Sequence, residues 1–123
     1  MVETAYAIVV TESDYVAALK TRWPEGPVAS REALSLAAEA VRAWPRSAML
    51  WFLRGQLITM APDNYIFSGL DAICSFQQAI ELDPAFTDAY EELGRCYDRG
   101  RQEPEKAREC YRKAARLRRA PPD

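Results

Sequence analysis

Residues 89–114 read AYEELGRCYDRGRQEPEKARECYRKA, and this stretch decides the fold. Its first part carries Tyr90, Leu93, Gly94 and Tyr97; its second carries Ala107, Tyr111 and Ala114. Both sets follow three- and four-residue spacing, which places each along one face of a helix. Gly100 is a natural residue just past a helix end, and Pro104 suits a first helical turn, where its missing N–H costs nothing. The stretch therefore predicts a helical hairpin, with one helix over about 87–99 and a second continuing to about 119. Pro121 and Pro122 stop the second helix.

The same unit recurs upstream. Trp51, Gly55, Ala72, Phe76, Ala79 and Pro84 form a second copy, and Ala33, Ala37, Ala40 and Pro45 a partial third. Ala40 and Ala79 are 39 residues apart, Ala79 and Ala114 are 35. The difference falls between the paired helices, where extra residues leave the packing register intact. Ser47 is the expected N-cap of a helix over about 48–60, with Leu50, Trp51, Arg54, Leu57, Ile58 and Ala61 on its inner stripe. Gly55 in its middle costs about 1 kcal/mol relative to alanine, so a tightly packed neighbour is expected there. Thr11 and Asp14 resemble a cap for a helix carrying Tyr15, Leu19 and Trp23 on one stripe, ended by Pro24, Gly26 and Pro27. Residues 5–10 suit either a strand or a helix, and helix is favoured because a lone strand has no partner here. The loop 62–68 carries Tyr65, Ile66 and Phe67, expected either to fold back as a plug or to form a contact site.

This pattern resembles the tetratricopeptide repeat, whose unit is an aromatic, leucine–glycine and tyrosine in one helix, then alanine, aromatic and alanine in the next, with proline at the joint. The family period is about 34 residues. The last unit matches well, through Tyr90, Leu93, Gly94, Tyr97, Ala107, Tyr111 and Ala114; the middle one departs at Arg54, where leucine is expected, and at Ile58, where tyrosine is expected; the first keeps only its second helix. The resemblance covers residues 30–119 and, more weakly, 11–29. It implies an all-α fold, a right-handed superhelical stack of antiparallel hairpins, in a single domain with approximate repeats 11–45, 47–83 and 87–120. It also implies that the first helix of each repeat lines a concave groove. Carried over residue by residue, that gives Met49, Phe52, Gln56, Thr59 and Met60 from the middle repeat. From the last repeat it gives Asp88, Glu91, Arg95, Asp98 and Arg99.

Such a groove is apolar and sulfur-rich on one side and charged on the other. Met and Phe suit an adaptable anchor pocket, and Arg95 suits a carboxylate. The alternatives are local: Glu91 and Arg95 are spaced to pair with each other, and Met49 and Phe52 to contact the N-terminal segment. The clamp that some members of the family use for carboxylate termini needs asparagines on successive helices, and the one asparagine, Asn64, falls in a loop. Small three-repeat chaperones of secretion systems share the size and acidity but no specific residue.

Composition excludes much else. The chain of 123 residues is 49% hydrophobic and 28% charged, which suits one globular domain. Its net charge of −2 argues against nucleic acid as a partner. Charge is uneven: residues 51–98 hold two basic and eight acidic side chains, residues 99–123 nine basic and four acidic, an asymmetry able to steer a partner or a second copy. No apolar run approaches the ~20 residues of a membrane span, and residues 5–10 lack the basic flank of a signal peptide, so no membrane insertion and a cytoplasmic location are expected. Cys74, Cys96 and Cys110 have no Cys-x-x-Cys spacing and suit small buried hydrophobes. With no histidine, no glycine-rich phosphate loop and no metal-ligand spacing, no enzyme, metal or cofactor is expected. Asp88, Glu91 and Glu92 suit a solvated helix face better than an active site. The chain is expected to be a non-enzymatic protein–protein interaction module or adaptor that takes a peptide or helix in its groove. The main alternative is a self-associating scaffold, a homodimer included, whose groove or end is covered by its own N-terminal segment; a secretion-type chaperone is the distant one.

Overall fold

Alanines at helical spacing set how closely these helices approach. Ala33, Ala37, Ala40, Ala72, Ala79 and Ala89 have no exposed surface, and Ala107 and Ala114 retain only 2%. With nothing beyond Cβ at the contact, two backbones come together and larger neighbours fill the flanks. The computed structural model describes residues 11–21, 31–60, 68–100 and 103–119. They form α1 (Glu12–Thr21), α2 (Arg31–Ala43), α3 (Ala48–Thr59), α4 (Ser68–Leu82), α5 (Thr87–Arg95) and α6 (Pro104–Arg119). A π-helical turn, Cys96–Gly100, continues α5. Each helix packs on the next, α3 on α4 and α5 on α6 most extensively, and α1 also reaches α3. The architecture is an all-α solenoid of helix hairpins.

Local chemistry starts these helices where the side chains dictate. The Thr11 hydroxyl accepts from the Asp14 amide at 3.1 Å while the Asp14 carboxylate accepts from the Thr11 amide at 3.3 Å, a reciprocal cap on α1. Ser47 is extended, and its Oγ accepts from the Leu50 amide at 3.3 Å, which caps α3. Asp83 Oδ1 accepts from the Ala85 amide at 3.1 Å, shaping the Asp83–Pro84 joint before α5.

The core has two parts, and α3 serves both. Tyr15 and Leu19 of α1 meet Ala37, Ala40 and Val41 of α2 and Leu50, Leu53 and Leu57 of α3. Phe52 and Ile58 of α3 meet Ala72, Ile73, Phe76 and Ala79 of α4 and Ala89 and Leu93 of α5. The single inner stripe expected for α3 is thus incomplete: Phe52 and Leu53 are buried, whereas Trp51 and Arg54 are half-buried. A helix between two hairpins has two buried faces, so its apolar residues run nearly all round. The helix expected over 87–99 is α-helical only to Arg95, and the π turn then carries Cys96 and Tyr97 against the second part of the core. Residues 1–10, the stop at Pro24, Gly26 and Pro27, and the loop with Tyr65, Ile66 and Phe67 lie outside the described residues.

Candidate functional site

On α5, Asp88, Glu91, Glu92 and Arg95 follow three- and four-residue spacing and share one side of the helix. Phe52 and Gln56 do the same on α3. These six residues line an open hollow of about 210 Å³ between the two helices. One lining residue, Phe52, is aromatic. Phe52 keeps 7% exposure, with its ring centroid 4.7 Å from that of Phe86 and 5.8 Å from that of Phe76. Little of this well-packed ring is therefore offered to the hollow.

The rim is a charge network. Gln56 Nε2 donates to Glu92 Oε2 at 3.0 Å, which ties α3 to α5. Arg95 donates to the other oxygen of Glu92, so that carboxylate is fully engaged. The hydrogen bond and charge of Glu92, with a smaller contribution from Glu91, hold the Arg95 guanidinium above its ordinary pKa. Glu91 pairs with Arg118 of α6. Asp88 is exposed and has no ion pair among the described residues.

Five of the expected groove residues, Phe52, Gln56, Asp88, Glu91 and Arg95, come together here. Five do not line the hollow. Met49 is half-buried against both parts of the core, and Met60 ends α3 against the first part. Thr59 is exposed and its hydroxyl donates to the Gln56 carbonyl at 2.6 Å. Asp98 and Arg99 are exposed on the π turn. The pairing of Glu91 with Arg95 expected from their spacing is not found, because Gln56 fixes Glu92 within reach of Arg95 while Arg118 draws Glu91 toward α6. Glu92, central to the rim, was legible only as one more acid on α5; its spacing to Arg95 was the available signal.

Among the described residues no group of three or more His, Cys, Asp or Glu side chains is placed to hold a metal ion. No helix among them is long and apolar enough to cross a membrane.

Neither a family model nor a curated protein sequence matches the chain. Solved structures do. A crystal structure of MamA superposes with a TM-score of 0.74 at 26% identity over 94% of this chain and 63% of that one. A second crystal structure of MamA gives 0.71 at 27% identity over 88% of this chain and 55% of that one. The human IFIT1 dimer with PPP-AAAA gives 0.72 at 24% identity over 85% of this chain and 25% of that one, a likeness of fold. The chain spans less than two-thirds of the length of the MamA chains it matches. It has an all-helical solenoid fold of the tetratricopeptide-repeat type, related to those of MamA and IFIT1, and this is an architecture of the protein-interaction kind.

Proposed function

We propose that this chain is a non-enzymatic interaction module that takes a peptide or helix of a partner protein in the hollow between α3 and α5. One observation carries the reading: side chains from two neighbouring hairpins, one aromatic and five polar or charged, converge on an open hollow. Recognition sites combine an apolar anchor point with a few placed polar groups in this way. The groups are pre-ordered, since Glu92 is held from both helices, and pre-ordering lowers the cost of binding. The absence of histidine and of a phosphate loop from the sequence supports binding over catalysis.

The test fills the hollow without disturbing the core. Gln56 is half-buried at the rim, so Gln56→Trp blocks the space while leaving Phe52 packed. A partner captured by the parent chain and lost by this variant, at unchanged helicity by circular dichroism, is the expected outcome. Equal capture by both would move the binding surface away from the hollow.

A further inference from the structure

The middle hairpin shows how this stack receives a further helix. Phe76 rests against Gly55 and is fully buried in the cluster that also holds Ala89 and Leu93 of α5. Phe52 and Ile73 belong to the same cluster. Two amides reach across to the arriving helix: Gln56 donates to Glu92 of α5, and Gln77 of α4 donates to the Tyr97 hydroxyl on the π turn at 3.2 Å.

The last hairpin repeats this arrangement. Tyr111 rests against Gly94 as Phe76 does against Gly55, and Ala107 and Ala114 stand where Ala72 and Ala79 do. By that alignment Phe52, Gln56, Ile73 and Gln77 correspond to Glu91, Arg95, Arg108 and Arg112. Among the described residues α6 packs extensively only on α5 and its π turn, so the place that α5 takes on the middle hairpin is open on the last one. We infer that this open face, around Tyr111, Arg108 and Arg112, receives an acidic amphipathic helix of a partner protein.

Two differences between the hairpins carry the inference. Tyr111 is 38% exposed where Phe76 has no exposure, which leaves aromatic surface for a helix to cover. The two amide donors become guanidinium groups at Arg95 and Arg112, and Ile73 becomes Arg108. Glu91 is paired with Arg118, and Arg95 with Glu92, so these four charges cancel. Of the charges acting on the Tyr111 hydroxyl, Asp98 is opposed by Arg95 and Arg99. Glu109 corresponds to the exposed Cys74, which is not part of the cluster that meets α5. Arg108 and Arg112, one turn apart and exposed, have no ion pair among the described residues. The face is thus an exposed ring with two uncompensated cations.

The α5 helix shows what such an occupant offers: Ala89 and Leu93 to the cluster, with the Glu92 carboxylate beside them for a donor. Aliphatic side chains one turn apart would cover Tyr111, and carboxylates alongside would meet the guanidinium forks. A terminal unit with a polar outer face also keeps a solenoid soluble. That role needs no exposed ring and no excess of one sign.

The ¹⁵N-labelled chain is titrated with three end-blocked, alanine-based helical peptides carrying leucine and, on the same face, glutamate, glutamine or lysine. Backbone amide shifts of Arg108, Tyr111 and Arg112 report the face, and calorimetry the affinity. The glutamate peptide is expected to shift these amides and to bind at least about tenfold tighter than the lysine peptide. Arg108→Glu combined with Arg112→Glu should abolish that preference. Arg116→Glu combined with Arg119→Glu makes the same change in net charge at exposed positions whose counterparts, Glu81 and Pro84, are also exposed, and should keep it.

A lysine peptide binding this face as tightly as the glutamate peptide would overturn the inference. Equal losses in the two double variants would reduce the effect to overall charge and overturn it as well. Shifts at Gln56 and Asp88 in place of Tyr111 would put the acidic helix in the hollow between α3 and α5, against this face. No response of Tyr111 to any peptide would also overturn the helix partner; capture of the chain by vesicles of phosphatidylserine and phosphatidylcholine would then make the face a membrane contact.

Discussion

At the scale of single residues, two glycines show how the packing register is enforced. A Cβ on Gly55 would stand 2.6 Å from Phe76 Cε1, and one on Gly94 would stand 2.7 Å from Tyr111 Cε1. Each glycine is thus the seat of the aromatic ring on the following helix. The two rings differ in freedom: Phe76 is fully buried, whereas Tyr111 is 38% exposed and has solvent to swing into. Alanine gains about 1 kcal/mol of helix propensity over glycine, and overpacking costs about 1–3 kcal/mol where neighbours cannot yield. Gly55→Ala is therefore expected to lower stability by up to about 2 kcal/mol, and Gly94→Ala to change it by less than about 1 kcal/mol, both read by chemical denaturation. Equal losses would mean that Tyr111 is held as firmly as Phe76. Cys96 gives a second test at this scale. Burial, then the neighbouring Glu92 carboxylate and Cys110, pushes its thiol up to about 11. An unfolded thiol titrates near about 8.5, so the unfolded chain releases this proton first. The stability contribution is complete below about pH 8.5 and is lost as pH rises through about 11. Denaturation midpoints of the parent and of Cys96→Ala should converge in slope below that window and diverge within it. Parallel curves across the window would show that Cys96 does not carry the dependence.

At the scale of elements, the departure of this chain from the repeat pattern at Arg54 has a partner. Arg54 Nη1 donates to Ser75 Oγ at 2.6 Å, and Ser75 on α4 is fully buried. The polar residue on α3 is matched by a polar residue on the helix it packs against. Arg54→Leu restores the residue the pattern expects but strips a buried hydroxyl of this partner, at a cost of about 1–2 kcal/mol. Adding Ser75→Ala should return most of that loss, giving a clear coupling in a double-mutant cycle. Additive losses would show that the two side chains do not depend on each other. This pair marks the boundary of what the sequence discloses. The helix pairings, the Thr11 and Ser47 caps and the seat at Gly55 were legible, because each depends on residues a few positions apart or on a repeated unit. The Arg54–Ser75 bond, the Glu91–Arg118 pair and the two-sided burial of α3 were not, because they depend on which helix lies alongside. The hollow was half legible for the same reason. Register put Gln56, Asp88, Glu91 and Arg95 on the correct helices, but only the packing of α5 on its neighbours decides that Glu92 is central and that Met49 and Met60 are turned to the core.

At the scale of the whole molecule, stability should be distributed by neighbour count along the stack. A solenoid is held by contacts between adjacent units, so an element with fewer packed neighbours opens more readily. Here α1 contributes Tyr15 and Leu19 to the first part of the core and α6 packs on α5 and its π turn; among the described residues α3 alone places fully buried side chains in both parts, with Leu34 of α2 packed against both as well. Amide hydrogen exchange should therefore be slowest at Leu53, Gly55 and Leu57 in α3 and fastest in α1 and the final turn of α6. Leu57 sits fully buried in the first part of the core. Leu57→Ala is expected to cost about 2–5 kcal/mol. Because α3 is shared, the loss should reach beyond its own cluster: exchange at Phe76 and Ala79 in α4 should quicken as much as at Leu19 in α1, and α6 should respond least. A response confined to α1 and α2 would show that the hairpins open independently and that α3 does not couple them. The same coupling sets the behaviour of the hollow proposed as the binding site, whose two walls belong to α3 and α5. If α3 transmits strain in this way, a ligand seated on Gln56 and Asp88 should slow exchange at Leu57, on the side of α3 remote from the hollow.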